Sequence, residues 1–104
     1  MTVKLLKPKV IYVAGPYTGG DVAINVKAAM LYGSRLIDEG HTPIIPHLTH
    51  FLHLMEPRHY EDWLDYDFRL LEMCDILHRL PGRSPGADRE VAHAKSLGLE
   101  VVIL

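Results

Sequence analysis

Two carboxylates stand out for where the sequence puts them. Asp67 falls inside an apolar stripe, with Trp63, Leu64, Leu70, Leu71 and Cys74 recurring at helical spacing around it. A carboxylate on a core-facing stripe must be hydrogen-bonded, paired, or protonated with a raised pKa. Those are the conditions of a general acid or base. The second carboxylate, Glu90, ends the run Ser84-Pro85-Gly86-Ala87-Asp88-Arg89-Glu90. It lies in the first turn of a helix whose buried side is Ala87, Val91 and Ala94. Two carboxylates held in different environments can divide nucleophile and acid roles at a glycosidic carbon. The structural alternatives stay open. Asp67 could cap a loop or pair with Arg69 or Arg79. Glu90 could simply favour the helix dipole, and Ser84 or Asp88 could simply cap.

A place for an anion accompanies the pair. The segment Gly15-Pro16-Tyr17-Thr18-Gly19-Gly20 follows an apolar run. Its glycines allow a tight turn and close approach to a ligand, and the helix behind it offers free N–H groups. Tyr17 would project a phenol from this loop. Ser84 and Gly86 could hold a phosphate beside Glu90 through a hydroxyl and backbone N–H groups. The loop could equally be a turn that needs glycine. His47, His50 and His53 recur every third residue and raise a zinc set. At 100° per residue a helix spreads such rings apart. No metal is therefore expected, and His47 is read as a substrate contact. Tyr60, Trp63 and Phe68 are read as core, and Cys74 as a small buried hydrophobe.

These residues need a frame. Val10–Ala14 reads as a buried strand closed by Gly15-Pro16. Asp21 caps a helix that carries Val26, Ala29, Gly33, Leu36 and Ile37 and ends at Gly40. A short strand, 42–46, is bracketed by prolines. Residues 47–59 read as a loop with a helical turn or two. A helix over 60–74, a strand over 75–80, a loop over 81–86, a helix over 87–97 and a strand over 100–104 complete the chain. Strands alternating with helices predict an α/β fold. The expected form is a small doubly wound, flavodoxin- or Rossmann-like parallel sheet of four to five strands flanked by helices. Such sheets bind ligands at the carboxyl ends of their strands, where the loops after Ala14 and Leu80 fall.

The 104 residues predict a single domain, 1–104. The net charge of −2 and the lack of a basic run argue against a nucleic-acid polymer as partner. No apolar run is long enough to span a membrane, and residues 1–7 lack the apolar stretch of a signal peptide. A lone cysteine fits a reducing cytoplasm.

Taken in order, Ile11-Tyr12-Val13-Ala14-Gly15-Pro16-Tyr17-Thr18, Asp67, Cys74-Asp75 and Ser84-x-Gly86-x-x-x-Glu90 resemble the nucleoside 2-deoxyribosyltransferase superfamily. The closest likeness is to the small DUF4406-type proteins and the 2'-deoxynucleoside 5'-phosphate N-hydrolases. The resemblance covers roughly 10–103. It implies Glu90 as the nucleophile at the anomeric carbon and Asp67 as the residue assisting at the nucleobase. It further implies Tyr17 as the residue orienting Glu90, and Ser84 as a ligand of the 5'-phosphate. The first loop departs from the hydrolase branch, with Thr18 and Asp21 where a basic residue is usual. Arg83 or Arg89 would have to supply that charge.

The expected activity is hydrolysis of the N-glycosidic bond of a nucleotide or nucleoside, with release of the free base. The alternatives are deoxyribosyl transfer between bases and a nucleotide-binding module without turnover. The expected site comprises Glu90, Asp67 and Tyr17 as catalytic residues. Gly15, Pro16, Thr18, Gly19, Gly20, His47, Ser84 and Gly86 would hold the substrate. No cofactor is expected. The partners expected are a small nucleotide or nucleoside and further copies of the chain, as a homodimer or homotetramer.

Overall fold

A computed structural model describes residues 7–104. The segment read for a signal peptide lies, over residues 1–6, outside the described residues. Four strands, β1 (Val10–Ala14), β2 (Thr42–Ile44), β3 (Ile76–Arg79) and β4 (Glu100–Ile103), form one parallel sheet in the order β2-β1-β3-β4. Four α-helices cross over between them: α1 (Val22–Asp38), α2 (Thr49–Met55), α3 (Tyr60–Leu71) and α4 (Pro85–Ser96). This is the doubly wound α/β sheet expected, with four strands.

Alternation along β1 sorts the core into two layers. Ile11 and Val13 face α1, where they meet Ala29 and Leu36. Tyr12 and Ala14 face the other way, onto Leu71, Leu77, Ala87 and Ala94 beneath α3 and α4. A strand buried on both faces needs an unbroken apolar run, and VIYVA supplies it. Asp75 fixes the start of the β1–β3 register. Its carboxylate accepts from Val10 N at 2.8 Å, and its own N–H donates to Val10 O at 2.8 Å.

Several boundaries differ from the sequence reading. Strand β2 is shorter, ending at Ile44, and Pro46–Leu48 forms a 3₁₀ turn. Pro43 is tolerated because β2 lies at the edge of the sheet. The helical turn or two read within 47–59 is α2, a helix of seven residues. None of its residues is buried, so it lacks an inward stripe that the sequence could reveal. Helix α3 stops three residues early, at Leu71. Helix α4 starts two residues early, because Ser84 is the N-cap and Pro85 takes the first helical position.

The first two βα loops that matter converge at the strand ends. Leu80 N donates to Ala14 O at 2.8 Å. A Cβ on Gly15 would come within 3.0 Å of Leu80 Cβ, and a Cβ on Gly82 within 2.9 Å of Pro16 Cγ. Gly82 also has φ of +113°, which favours glycine. The adjacent carboxyl ends of β1 and β3 therefore form the crevice where this topology places ligands.

Candidate active site

A cavity of about 380 Å³ opens at that crevice. It is large enough for a small organic ligand. Its walls come from the loop after β1, the 3₁₀ turn, α2, α3 and the start of α4. Glu90 and Asp67 both line it.

Glu90 is 6% exposed and its carboxylate accepts a hydrogen bond from the Tyr12 hydroxyl. Tyr12 reaches it because even-numbered residues of β1 face α4. Burial pushes the Glu90 carboxyl up to about 8, and the negative charge of Asp67 adds to the rise. The Tyr12 hydrogen bond and the Arg79 guanidinium pull against it. Burial, then the charges of Glu90 and Asp67, hold Tyr12 well above the ordinary tyrosine value. Tyr12 therefore remains a phenol that donates.

Asp67 projects from α3 into the same space. Its Oδ1 is buried and has no hydrogen-bond partner among the described residues. Burial alone raises its carboxyl to about 7. Arg79 does not pair with it. That guanidinium bonds Asp88 Oδ1 at 2.9 Å and the Leu80 carbonyl.

Tyr17 also lines the cavity, but no hydrogen bond joins it to Glu90. Its hydroxyl pairs with His50 Nδ1 at 2.6 Å. The residue against Glu90 is Tyr12, not Tyr17: strand alternation directs Tyr12 inward, while the loop carries Tyr17 toward α2. The sequence signal for Tyr12 was a tyrosine inside an otherwise apolar strand, whose hydroxyl needs a buried partner.

Among the remaining site candidates, Gly15, Thr18, Gly19, His47, Ser84 and Gly86 line the cavity. Pro16 and Gly20 do not. Pro16 instead borders a second hollow beside α1, lined also by Tyr32 and Arg35. Gly20 serves the turn, with φ of 83°. Asn25 ties the loop down by donating to Tyr17 O and Gly19 O, each at 2.8 Å.

Ser84 Oγ accepts from Ala87 N at 3.1 Å, so it caps α4 and keeps its own proton to offer an anionic ligand. Pro85 has no N–H, which leaves Gly86 N–H as the free donor of that turn. Arg83 lines the cavity and has no ion pair among the described residues. Arg89 points elsewhere, bonded to Glu61 at 2.9 Å and lying over the Tyr60 ring.

The histidines diverge. His47 is 5% exposed and donates from Nε2 to Pro16 O at 2.9 Å. Burial lowers its pKa, so the ring is neutral and Nδ1 is bare. His53 Nδ1 accepts from Trp63 Nε1 at 2.7 Å and from Arg58 N at 3.2 Å. Among the described residues, no three histidine, cysteine or acidic side chains converge as a metal set would.

Two aromatics read as core prove to be cavity wall. Tyr60 is 53% exposed, and Trp63 is half-buried with Arg58 over its ring. Both line the cavity. Phe68 does not, and stacks on His93 at 4.2 Å. Helix α3 presents Leu64 and Leu71 to the interior, which rotates Tyr60 and Trp63 toward the opening.

This architecture is shared with solved enzymes. A 2-desoxiribosyltransferase from Leishmania mexicana superposes with a TM-score of 0.62 at 21% identity, over 93% of this chain and 64% of that one. A 2-deoxyribosyltransferase from Bacillus psychrosaccharolyticus does so with a TM-score of 0.62 at 21% identity, over 90% of this chain and 70% of that one. This chain thus spans under two thirds of the Leishmania protein's length. The likeness is one of fold. Among the described residues no helix is long and apolar enough to cross a membrane. No functionally curated protein matches the chain. The DUF4406-type likeness of the motifs is not confirmed by the family model that matches. Residues 9–104 fit the model described as "Domain of unknown function (DUF7768)", and the protein belongs to that family.

Proposed function

We propose that the protein cleaves the N-glycosidic bond of a nucleotide or nucleoside, with a nucleoside 5'-monophosphate as the preferred substrate. One observation carries this reading: a buried carboxyl and a half-buried one, both with raised pKa values, line one cavity, and a strand tyrosine holds the deeper one. Solved deoxyribosyltransferases with the same fold support it.

Glu90, as the carboxylate, attacks the anomeric carbon. The carbon–nitrogen bond breaks, and its electron pair goes to the base nitrogen. Protonated Asp67 gives its proton to the departing base. Water then attacks the same carbon and passes a proton to Asp67, and the Glu90 ester leaves as carboxylate. Tyr12 positions Glu90 throughout. The Ser84 hydroxyl, Gly86 N–H and the Arg83 guanidinium form the polar end suited to a phosphate. Arg83 thereby takes the place of the basic residue missing from the first loop. Trp63 and Tyr60 provide the aromatic end suited to a base. The exposed apolar side chains of α2, among them Phe51, Leu54 and Met55, suit burial in a homo-oligomer.

The test is release of free base from ribo- and deoxyribonucleoside 5'-monophosphates and the matching nucleosides, followed by chromatography. Release by the parent chain and none by Glu90→Ala is expected. Equal release by both would overturn the assignment. Addition of a second free base separates hydrolysis from transfer, since only a transferase yields the exchanged nucleoside.

A further inference from the structure

His53 has no role in the chemistry above, yet its surroundings define it closely. Its ring lines the cavity from α2, beside Trp63 and Tyr60. Both partners of Nδ1, the Trp63 indole N–H at 2.7 Å and the Arg58 backbone N–H at 3.2 Å, can only donate. Nδ1 must then be the bare nitrogen, and Nε2 carries the proton. Nε2 has no partner among the described residues. His53 is thus a hydrogen-bond donor of fixed sense on the cavity wall.

The aromatic setting says what it would meet. Trp63 stands edge-on to His53, with centroids 5.9 Å apart and planes at 67°. Its indole N–H is spent on His53, and Arg58 lies over its ring at 5.5 Å. His53, Tyr60 and Trp63 share the cavity lining, so a flat heterocycle seated against these aromatics meets the imidazole. An edge with a carbonyl oxygen satisfies Nε2–H, whereas an edge with an amino group sets donor against donor. The other fixed imidazole, His47, spends its N–H on Pro16 O and offers no competing donor.

We propose that His53 is a specificity-determining residue of the cavity, selecting a base with an oxo group over the counterpart that carries an amino group at the same ring position. The inference rests on the nucleotide reading of the cavity and names the base class within it. An unmet buried donor weakens binding roughly tenfold or more. Inosine 5'-monophosphate should therefore bind at least about tenfold tighter than adenosine 5'-monophosphate, and uridine 5'-monophosphate similarly tighter than the cytidine compound.

The experiment has two arms. Long-range nitrogen–proton correlation spectra of the labelled protein, with the His53 signals assigned by their loss in His53→Phe, read the tautomer directly. A proton on Nε2 is expected. Calorimetric titration of the parent, His53→Phe and Trp63→Phe with the four monophosphates then reads the oxo-to-amino affinity ratio. That ratio should collapse toward one in His53→Phe and shrink in Trp63→Phe, which unlocks the tautomer. His53→Gln, whose amide can turn either end to the ligand, should also flatten it. A proton on Nδ1, or a ratio that survives in His53→Phe and His53→Gln, overturns the role of His53 and leaves the nucleotide reading standing. Failure of all four monophosphates to bind the parent overturns both.

Discussion

The hydroxyl of Tyr12, in the central strand, donates to the carboxylate of Glu90, in the first turns of the last helix, across a sequence separation of 78 residues. This bond joins the most buried layer of the fold to the floor of the cavity. It fixes where the carboxylate points and opposes part of the rise in its pKa that burial causes.

Tyr12→Phe should keep the strand and its packing, because only the hydroxyl is lost. Glu90 is then left without its donor. Stability should drop by about 1–3 kcal/mol, read as a lower urea midpoint with unchanged slope. Base release should fall by more than the fraction unfolded accounts for. Its acid limb should move to higher pH, since the bond that lowers the Glu90 pKa is gone.

Stability should fall as pH rises through neutrality. Glu90 titrates at an ordinary 4.5 when unfolded and at about 8 when folded. Asp67 goes from 3.8 to about 7. The folded state therefore binds more protons than the unfolded state across these windows. The contribution of Glu90 is fully present below its unfolded value and is lost as pH rises through about 8. The slope is about 1.4 kcal/mol per pH unit for each group at its steepest. Denaturant titrations at pH 5, 6.5 and 8 should show the decline, and Glu90→Gln should flatten it. A parent protein whose stability rises over this range would contradict the raised values of the two carboxyls.

The pH profile of kcat/KM should be a bell. Attack needs one carboxylate, and departure of the base needs one proton held by the other. The singly protonated pair is most populated between about 7 and about 8. Its proton rests mainly on Glu90, so the reactive form is the minor arrangement with Glu90 ionised and the proton on Asp67. Asp67→Asn should remove the alkaline limb and lower kcat by about 10²–10⁴ for bases that need a proton to leave.

Gly82→Ala should destabilise by about 1–3 kcal/mol, because its φ of +113° strains any side chain and the new Cβ would strike Pro16. The loops after β1 and β3 would separate. Ligand affinity should therefore weaken even at temperatures where the variant is folded. Thermal melts with and without nucleotide separate the two effects.

The frame of this site is legible in the sequence. The apolar run of β1, the Asp21 cap, the glycines after α1 and α4 and the strand–helix alternation fix the sheet. The helical stripe around Asp67 correctly turns that carboxylate inward. Glu90 borders its buried stripe and is buried with it. What sequence patterns could not convey was contact at a distance. The family resemblance implies Tyr17 as the residue orienting Glu90, whereas strand parity delivers Tyr12. Helix α2 is legible only as a helical turn or two without bounds, because its apolar residues face outward, and Met55 is 82% exposed. Tyr60 and Trp63 look like core in any hydropathy pattern. Only the turn of α3 about its axis shows that they border the opening.

The two walls of the cavity differ in how they would open. Strand β1 is paired on both sides and buried on both faces, so its amides should exchange with solvent only when the whole molecule unfolds. Within one chain helix α2 buries none of its residues, so in the free subunit its amides should exchange through local fraying. Entry and departure of a ligand can then proceed by loosening α2 alone. The chemical groups on Tyr12 and Glu90 would stay in register while their outer wall breathes.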